Sequence, residues 1–104
     1  MNTLEKLNAT LAERKGASPE SSYTAKLLSQ GPEKCAKKFG EEAFELAMAA
    51  VLDNKTNTAN EAADVLYHLL VLLQSADVKL SDVMAVLEKR EGTSGLGEKA
   101  NRNG

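Results

Sequence analysis

The stretch EAADVLYHLLVLL, residues 61–73, is apolar on nearly every face of a helix. Placed about 100° apart, Ala62, Ala63, Val65, Leu66, Leu69, Leu70, Val71, Leu72 and Leu73 leave little surface for water. Yet Asn57, Glu61, Asp64 and His68 fall together on one strip of that helix. Such a helix is normally buried among neighbours. In a chain of 104 residues, burial on all sides predicts that a second copy supplies part of the cover.

Working outward, Gly16, Ser18-Pro19, Gly31-Pro32, Asp53-Asn54 and the run Gly92-Thr93-Ser94-Gly95 divide the chain into segments of helical length. Helices are expected at about 2–15, 22–30, 32–53, 57–76 and 80–90, with a glycine-containing tail at 91–104. Pro32 suits a first helical turn, Thr56 or Thr58 is expected to cap the fourth helix, and the fifth begins at Leu80 or Ser81. Nothing alternates as a strand does. The expected fold is all-α, a four- to five-helix bundle formed by residues 1–104 as one domain and completed by dimerisation.

Composition sets further bounds. A hydrophobic fraction of 42% suits a single globular core. The net charge of -2 and pI near 5.4 give no global attraction to nucleic acid or an anionic membrane, which favours a small-molecule partner. The apolar run Leu69 to Leu73 is far short of the roughly 20 residues that span a bilayer. With one cysteine, Cys35, and no signal-like opening, a reducing cytoplasm is the expected location.

The third helix carries the stretch GEEAFE, residues 40–45. Around it Lys34, Lys38, Glu41 and Glu45 form one stripe with Glu42 slightly to its side, while Cys35, Phe39, Ala43, Leu46 and Ala50 take the neighbouring face. Glu42 therefore borders the core. Lys37 with Glu41, or Lys38 with Glu42, would make ordinary helix pairs of about 0.2–0.5 kcal/mol. Lysine N-terminal to glutamate is the poorer orientation, however, and no lysine or arginine lies within four positions of Glu61 or Asp64. Carboxylates on an apolar helix are costly to desolvate unless a cation meets them. Mg²⁺, which takes hard oxygen ligands and bridges carboxylates to phosphates, answers that need.

EExxE followed 16 positions later by ExxD resembles the metal-binding signature of the all-α nucleoside triphosphate pyrophosphohydrolases, the MazG-like group. The matching residues are Glu41, Glu42, Glu45, Glu61 and Asp64. SYTAKLL at 22–28, GPEKCAKKFGEEAFE at 31–45, EAADVLYHLLVLL at 61–73 and LEKREGTSGLGEKANR at 87–102 are similar to the phosphoribosyl-ATP pyrophosphatase family in particular. That resemblance implies a homodimeric, or larger, helical bundle. It also implies Mg²⁺-dependent hydrolysis of phosphoribosyl-ATP to phosphoribosyl-AMP and pyrophosphate, the second step of histidine biosynthesis. The chain is too short to include the cyclohydrolase that acts next.

On that resemblance Glu42, Glu45, Glu61 and Asp64 are expected to hold the metal, directly or through water. Glu41 is expected as a further ligand or as the group that orients the attacking water, with Glu42 also close to the chemistry. Lys34 and Lys38, one turn apart near a helix start, suit contacts to the β and γ phosphates. Tyr23, Thr24 and Lys26, with Arg90, Ser94, Lys99 and Arg102 of the last segment, are candidates for the ribosyl phosphate or the nucleotide. His68 reads as a packing or supporting residue and Cys35 as a small core residue. A pyrophosphohydrolase for other (d)NTPs shares the acid pattern, and a non-enzymatic dimerisation module would explain the apolar helix but not Glu61 and Asp64.

Overall fold

The computed structural model describes residues 1–52 and 54–91 and contains five helices. They are α1 (Thr3–Arg14), α2 (Tyr23–Ser29), α3 (Pro32–Val51), α4 (Lys55–Ser75) and α5 (Leu80–Arg90). The described residues contain no strand, so the chain is all-α.

The first four helix starts have local causes. Asn2 caps α1 by accepting the Glu5 N–H at 2.8 Å, and Ser22 caps α2 by accepting the Ala25 N–H at 3.0 Å. Pro32 occupies the first turn of α3, as expected, and Gly31 precedes it with φ +90, a backbone conformation that disfavours any side chain. The cap of α4 differs from expectation. Asn54, rather than Thr56 or Thr58, accepts the Asn57 N–H at 3.0 Å, while the Thr58 hydroxyl donates to the Asn54 carbonyl at 2.7 Å. Asparagine is the stronger N-cap, so α4 starts at Lys55, directly after it.

The turn after α4 is closed by the Val78 N–H on the Leu73 carbonyl at 2.9 Å and the Asp77 N–H on the Gln74 carbonyl at 3.2 Å. Asp77 adopts φ 57 there, and its carboxylate pairs with Lys15, whose ammonium also donates to the Gln74 carbonyl at 2.7 Å. The end of α1 is thereby fastened to the turn that leads into α5.

A short connection joins two long helices, so α3 and α4 pack along each other as an antiparallel hairpin. The core gathers Leu11, Leu27, Cys35, Leu70, Val71 and Leu80, with Leu4, Leu7, Leu28, Tyr67, Leu72 and Met84 against it. It therefore sits where α1, α2 and α5 meet the first half of α3 and the second half of α4. Cys35 is buried in it and donates to the Leu27 carbonyl at 3.4 Å.

The other half of the hairpin lacks such cover. Phe44 is 66% exposed, Val51 and Leu52 are each 75% exposed, and Met48 and Leu66 are also open. Thus α4 is buried on all sides only near His68, Leu70 and Val71 within one copy. On α3 it is Ala49, not Ala50, that is buried beside the hairpin partner.

Candidate active site

Both long helices bring carboxylates to the less covered half of the hairpin. Glu42 and Glu45 of α3 and Glu61 of α4 converge so that one ligand oxygen from each lies within 4.8 Å of the others. Glu42 and Glu61 are half-buried and Glu45 is exposed. Asp64, exposed on the next turn of α4, lies outside that trio but acts on it by charge. Glu41 turns instead to Lys38, at 3.6 Å, so neither Lys37–Glu41 nor Lys38–Glu42 forms an ion pair.

The electrostatics of the trio are unfavourable without a cation. Burial raises the Glu42 carboxyl above the usual glutamate range, and the charges of Glu45 and Asp64, then the proximity of Glu45 and Glu61, add to it. Glu61 is raised in the same way, by burial first and then by Glu45 and Asp64. The Glu61 Oε2 atom is shut off from solvent and has no hydrogen-bond partner among the described residues. A buried carboxylate oxygen left in this state is costly. The donor set, all carboxylate oxygen, fits a hard divalent cation such as Mg²⁺.

Beside the trio, at the elbow between α2 and α3, opens a cleft of about 240 Å³ lined by Tyr23, Lys26, Leu27, Gln30, Lys34 and Lys38. The bend at Gly31 lets α2 and α3 present their lysines to one space. Lys26 and Lys34 have no ion-pair partner among the described residues. A cleft with three ammonium groups suits an anion rich in oxygen, such as a polyphosphate. Lys38 belongs to both features, since it lines the cleft and pairs with Glu41 beside Glu42.

A family model described as phosphoribosyl-ATP pyrophosphohydrolase matches residues 4–91. The chain belongs to that family. Its relatives include proteins named phosphoribosyl-ATP pyrophosphatase from Cereibacter sphaeroides, 64% identical with 98% of this chain and 99% of the relative covered, and from Dinoroseobacter shibae, 60% identical with 98% and 100% covered. One of the same name from Jannaschia sp. is 61% identical, with 98% and 100% covered.

Within this family member, Tyr23, Lys26, Lys34 and Lys38, all foreseen as phosphate or nucleotide contacts, line one cleft. Thr24, foreseen with them, is buried and hydrogen-bonds the Tyr67 hydroxyl instead. Arg90 is exposed at the end of α5, and Ser94, Lys99 and Arg102 lie outside the described residues.

Gln30 and Leu27 line the cleft without having been singled out. Lys26, Gln30, Lys34 and Lys38 repeat every four residues, but the Gly31-Pro32 break hides that regularity, because it reads as the end of one helix and the start of another. His68 is buried, with its ring edge-on to Tyr67 at 4.9 Å and to Tyr23 at 6.5 Å. Burial lowers its pKa and Lys38 lowers it further, against the opposing pull of Asp64 and Glu41.

Proposed function

We propose that this chain hydrolyses phosphoribosyl-ATP to phosphoribosyl-AMP and pyrophosphate, the second step of histidine biosynthesis, as a Mg²⁺-dependent enzyme of the cytoplasm. The observation that carries the reading is the carboxylate trio, with the orphaned Glu61 Oε2, placed next to a lysine-lined cleft. The names of the relatives supply the substrate.

Glu42, Glu45 and Glu61 would hold the ion, with Asp64 completing the set directly or through water. Bound there, Mg²⁺ supplies charge neutralisation of the triphosphate and a lowered pKa for its water. Lys34 and Lys38 hold the β and γ phosphates, and Tyr23 and Lys26 hold the ribosyl phosphate or the nucleotide. Glu41, released from Lys38 when a phosphate takes its place, orients the attacking water and receives its proton. The water oxygen bonds to the α phosphorus as the bond to the bridging oxygen breaks. Pyrophosphate leaves with that oxygen. Arg90, Ser94, Lys99 and Arg102 assist in holding the nucleotide.

A second copy of the chain covers Phe44, Met48, Val51, Leu52 and Leu66, giving a homodimer through the hairpin that carries the trio.

Glu45→Gln and Asp64→Asn test the assignment. Each abolishes pyrophosphate release from phosphoribosyl-ATP while leaving the helical circular dichroism intact. Retained turnover in either variant removes that residue from the site.

A further inference from the structure

Two consecutive residues of α4 grip two consecutive residues of α2. The Tyr67 hydroxyl hydrogen-bonds Thr24 Oγ1, and the His68 ring stands edge-on to the Tyr23 ring at 6.5 Å and 87°. Tyr67 and His68 also meet edge-to-face, at 4.9 Å and 83°, so His68 links the other two rings through two T-shaped contacts. His68 and Tyr23 differ in exposure. His68 is only 6% exposed, whereas Tyr23 is 53% exposed and lines the lysine cleft.

This difference decides the direction of influence. Tyr23 is the first residue of a seven-residue helix, and most of its ring is open to water. Among the described residues no hydrogen bond fixes its side chain. The buried imidazole behind it is held in the surrounding core and meets it in a T-shaped pair, the geometry aromatic pairs favour. Tyr23 and His68 are 45 positions apart in sequence, so the pairing is a product of the fold.

We propose that His68 is a positioning residue: it holds the Tyr23 ring at the wall of the lysine cleft and thereby sets affinity for the phosphate-bearing substrate without touching the reacting atoms. The inference rests on the reading of that cleft as the phosphoribosyl-ATP site. It requires an aromatic ring at position 68, not a titrating group. Phenylalanine therefore serves there and an aliphatic or amide side chain does not.

The test is a double-mutant cycle on the KM for phosphoribosyl-ATP, with thermal stability followed in parallel. Wild-type turnover is measured first, and its absence contradicts the reading of the site itself. Given wild-type turnover, His68→Leu is expected to raise KM roughly three- to tenfold with a much smaller change in kcat, and His68→Phe to stay within about twofold of wild type. His68→Leu combined with Tyr23→Ala is expected to be no worse in KM than Tyr23→Ala alone, since both remove the same placed ring.

Three results overturn the inference while leaving the function in place. They are a KM unmoved by His68→Leu, losses that multiply in the double variant, and a His68→Phe as impaired as His68→Leu. If His68→Leu does not fold, His68→Asn takes its place, with a raised KM expected and a wild-type KM contradicting the proposal.

Discussion

Lys38 stands 3.6 Å from Glu41, one turn along α3, and joins the two halves of the site. The lysine lines the basic cleft, and the glutamate adjoins Glu42 of the carboxylate trio. Both side chains are partly exposed, so the pair contributes only about 0–1 kcal/mol. On the proposed mechanism an incoming phosphate would displace Glu41 from Lys38 at little cost. The ion pair would then be a resting contact for two groups that act on the substrate.

Removing the cleft's ammonium groups should weaken substrate binding. Lys34→Ala and Lys38→Ala are each expected to raise the KM for phosphoribosyl-ATP by about tenfold or more, the scale of a lost charged hydrogen bond. Their stability should stay within roughly 0.5 kcal/mol of wild type, as for other surface substitutions. Steady-state kinetics with a melting curve for each variant checks this, and unchanged KM values return both lysines to mere solvation.

The carboxylate trio makes a prediction about stability in the absence of metal. Glu42 and Glu61 have pKa values raised in the folded chain, so between the ordinary glutamate pKa and those raised values the folded state binds more protons than the unfolded one. Stability in chelator should fall as pH rises through that window and stay lowered above it. Glu61→Gln removes one source of the fall, so at pH 7 in chelator it should melt higher than wild type and show a flatter pH profile. Parallel profiles for the two proteins contradict the account.

The same variant should behave oppositely when Mg²⁺ is present. Wild type gains melting temperature from the ion by mass action, and Glu61→Gln gains little. Turnover should drop by roughly 10²–10³-fold, the range for losing one preorganised charge-stabilising group. A Mg²⁺-induced shift equal to that of wild type would place the ion elsewhere.

Phe44 and Val51 offer a test of association. At 66% and 75% exposure their replacement should be harmless in an isolated copy. Phe44→Glu and Val51→Glu are expected to convert a dimer to monomers in sedimentation velocity. A wild-type monomer, or a dimer indifferent to both changes, contradicts the proposed interface.

Much of this was legible in residues 31–45 and 61–73, because hairpin helices with a strong apolar period announce both their type and their inner faces. Glu42 shows the strength of such reading: its place beside the apolar stripe predicts a group at the border of the core, and it is half-buried. Helix ends were less legible. Asp53-Asn54 reads as a breaker, whereas Asn54 is the cap itself, and α3 stops at Val51 rather than near 53. Period alone also assigns α4 to full burial, but which half is covered depends on where α1, α2 and α5 dock.

The lysine cleft lies between these extremes. Its residue types and four-residue spacing are visible, but the direction of the bend at Gly31 is a property of three dimensions. His68 shows a similar limit, since its contact with Tyr23 spans two helices distant in sequence.

Capping offers a direct check on the corrected start of α4. Asn54→Ala should cost about 1 kcal/mol of stability, and Thr56→Ala much less. Equal effects in chemical denaturation contradict the assignment of Asn54 as the cap.

The central claim is tested most directly by measuring pyrophosphate release from phosphoribosyl-ATP, ATP and a panel of deoxynucleoside triphosphates, with Mg²⁺ and with excess chelator. Release confined to phosphoribosyl-ATP and abolished by chelator is the predicted result. Release from the general nucleotides, or from none of the substrates, contradicts it.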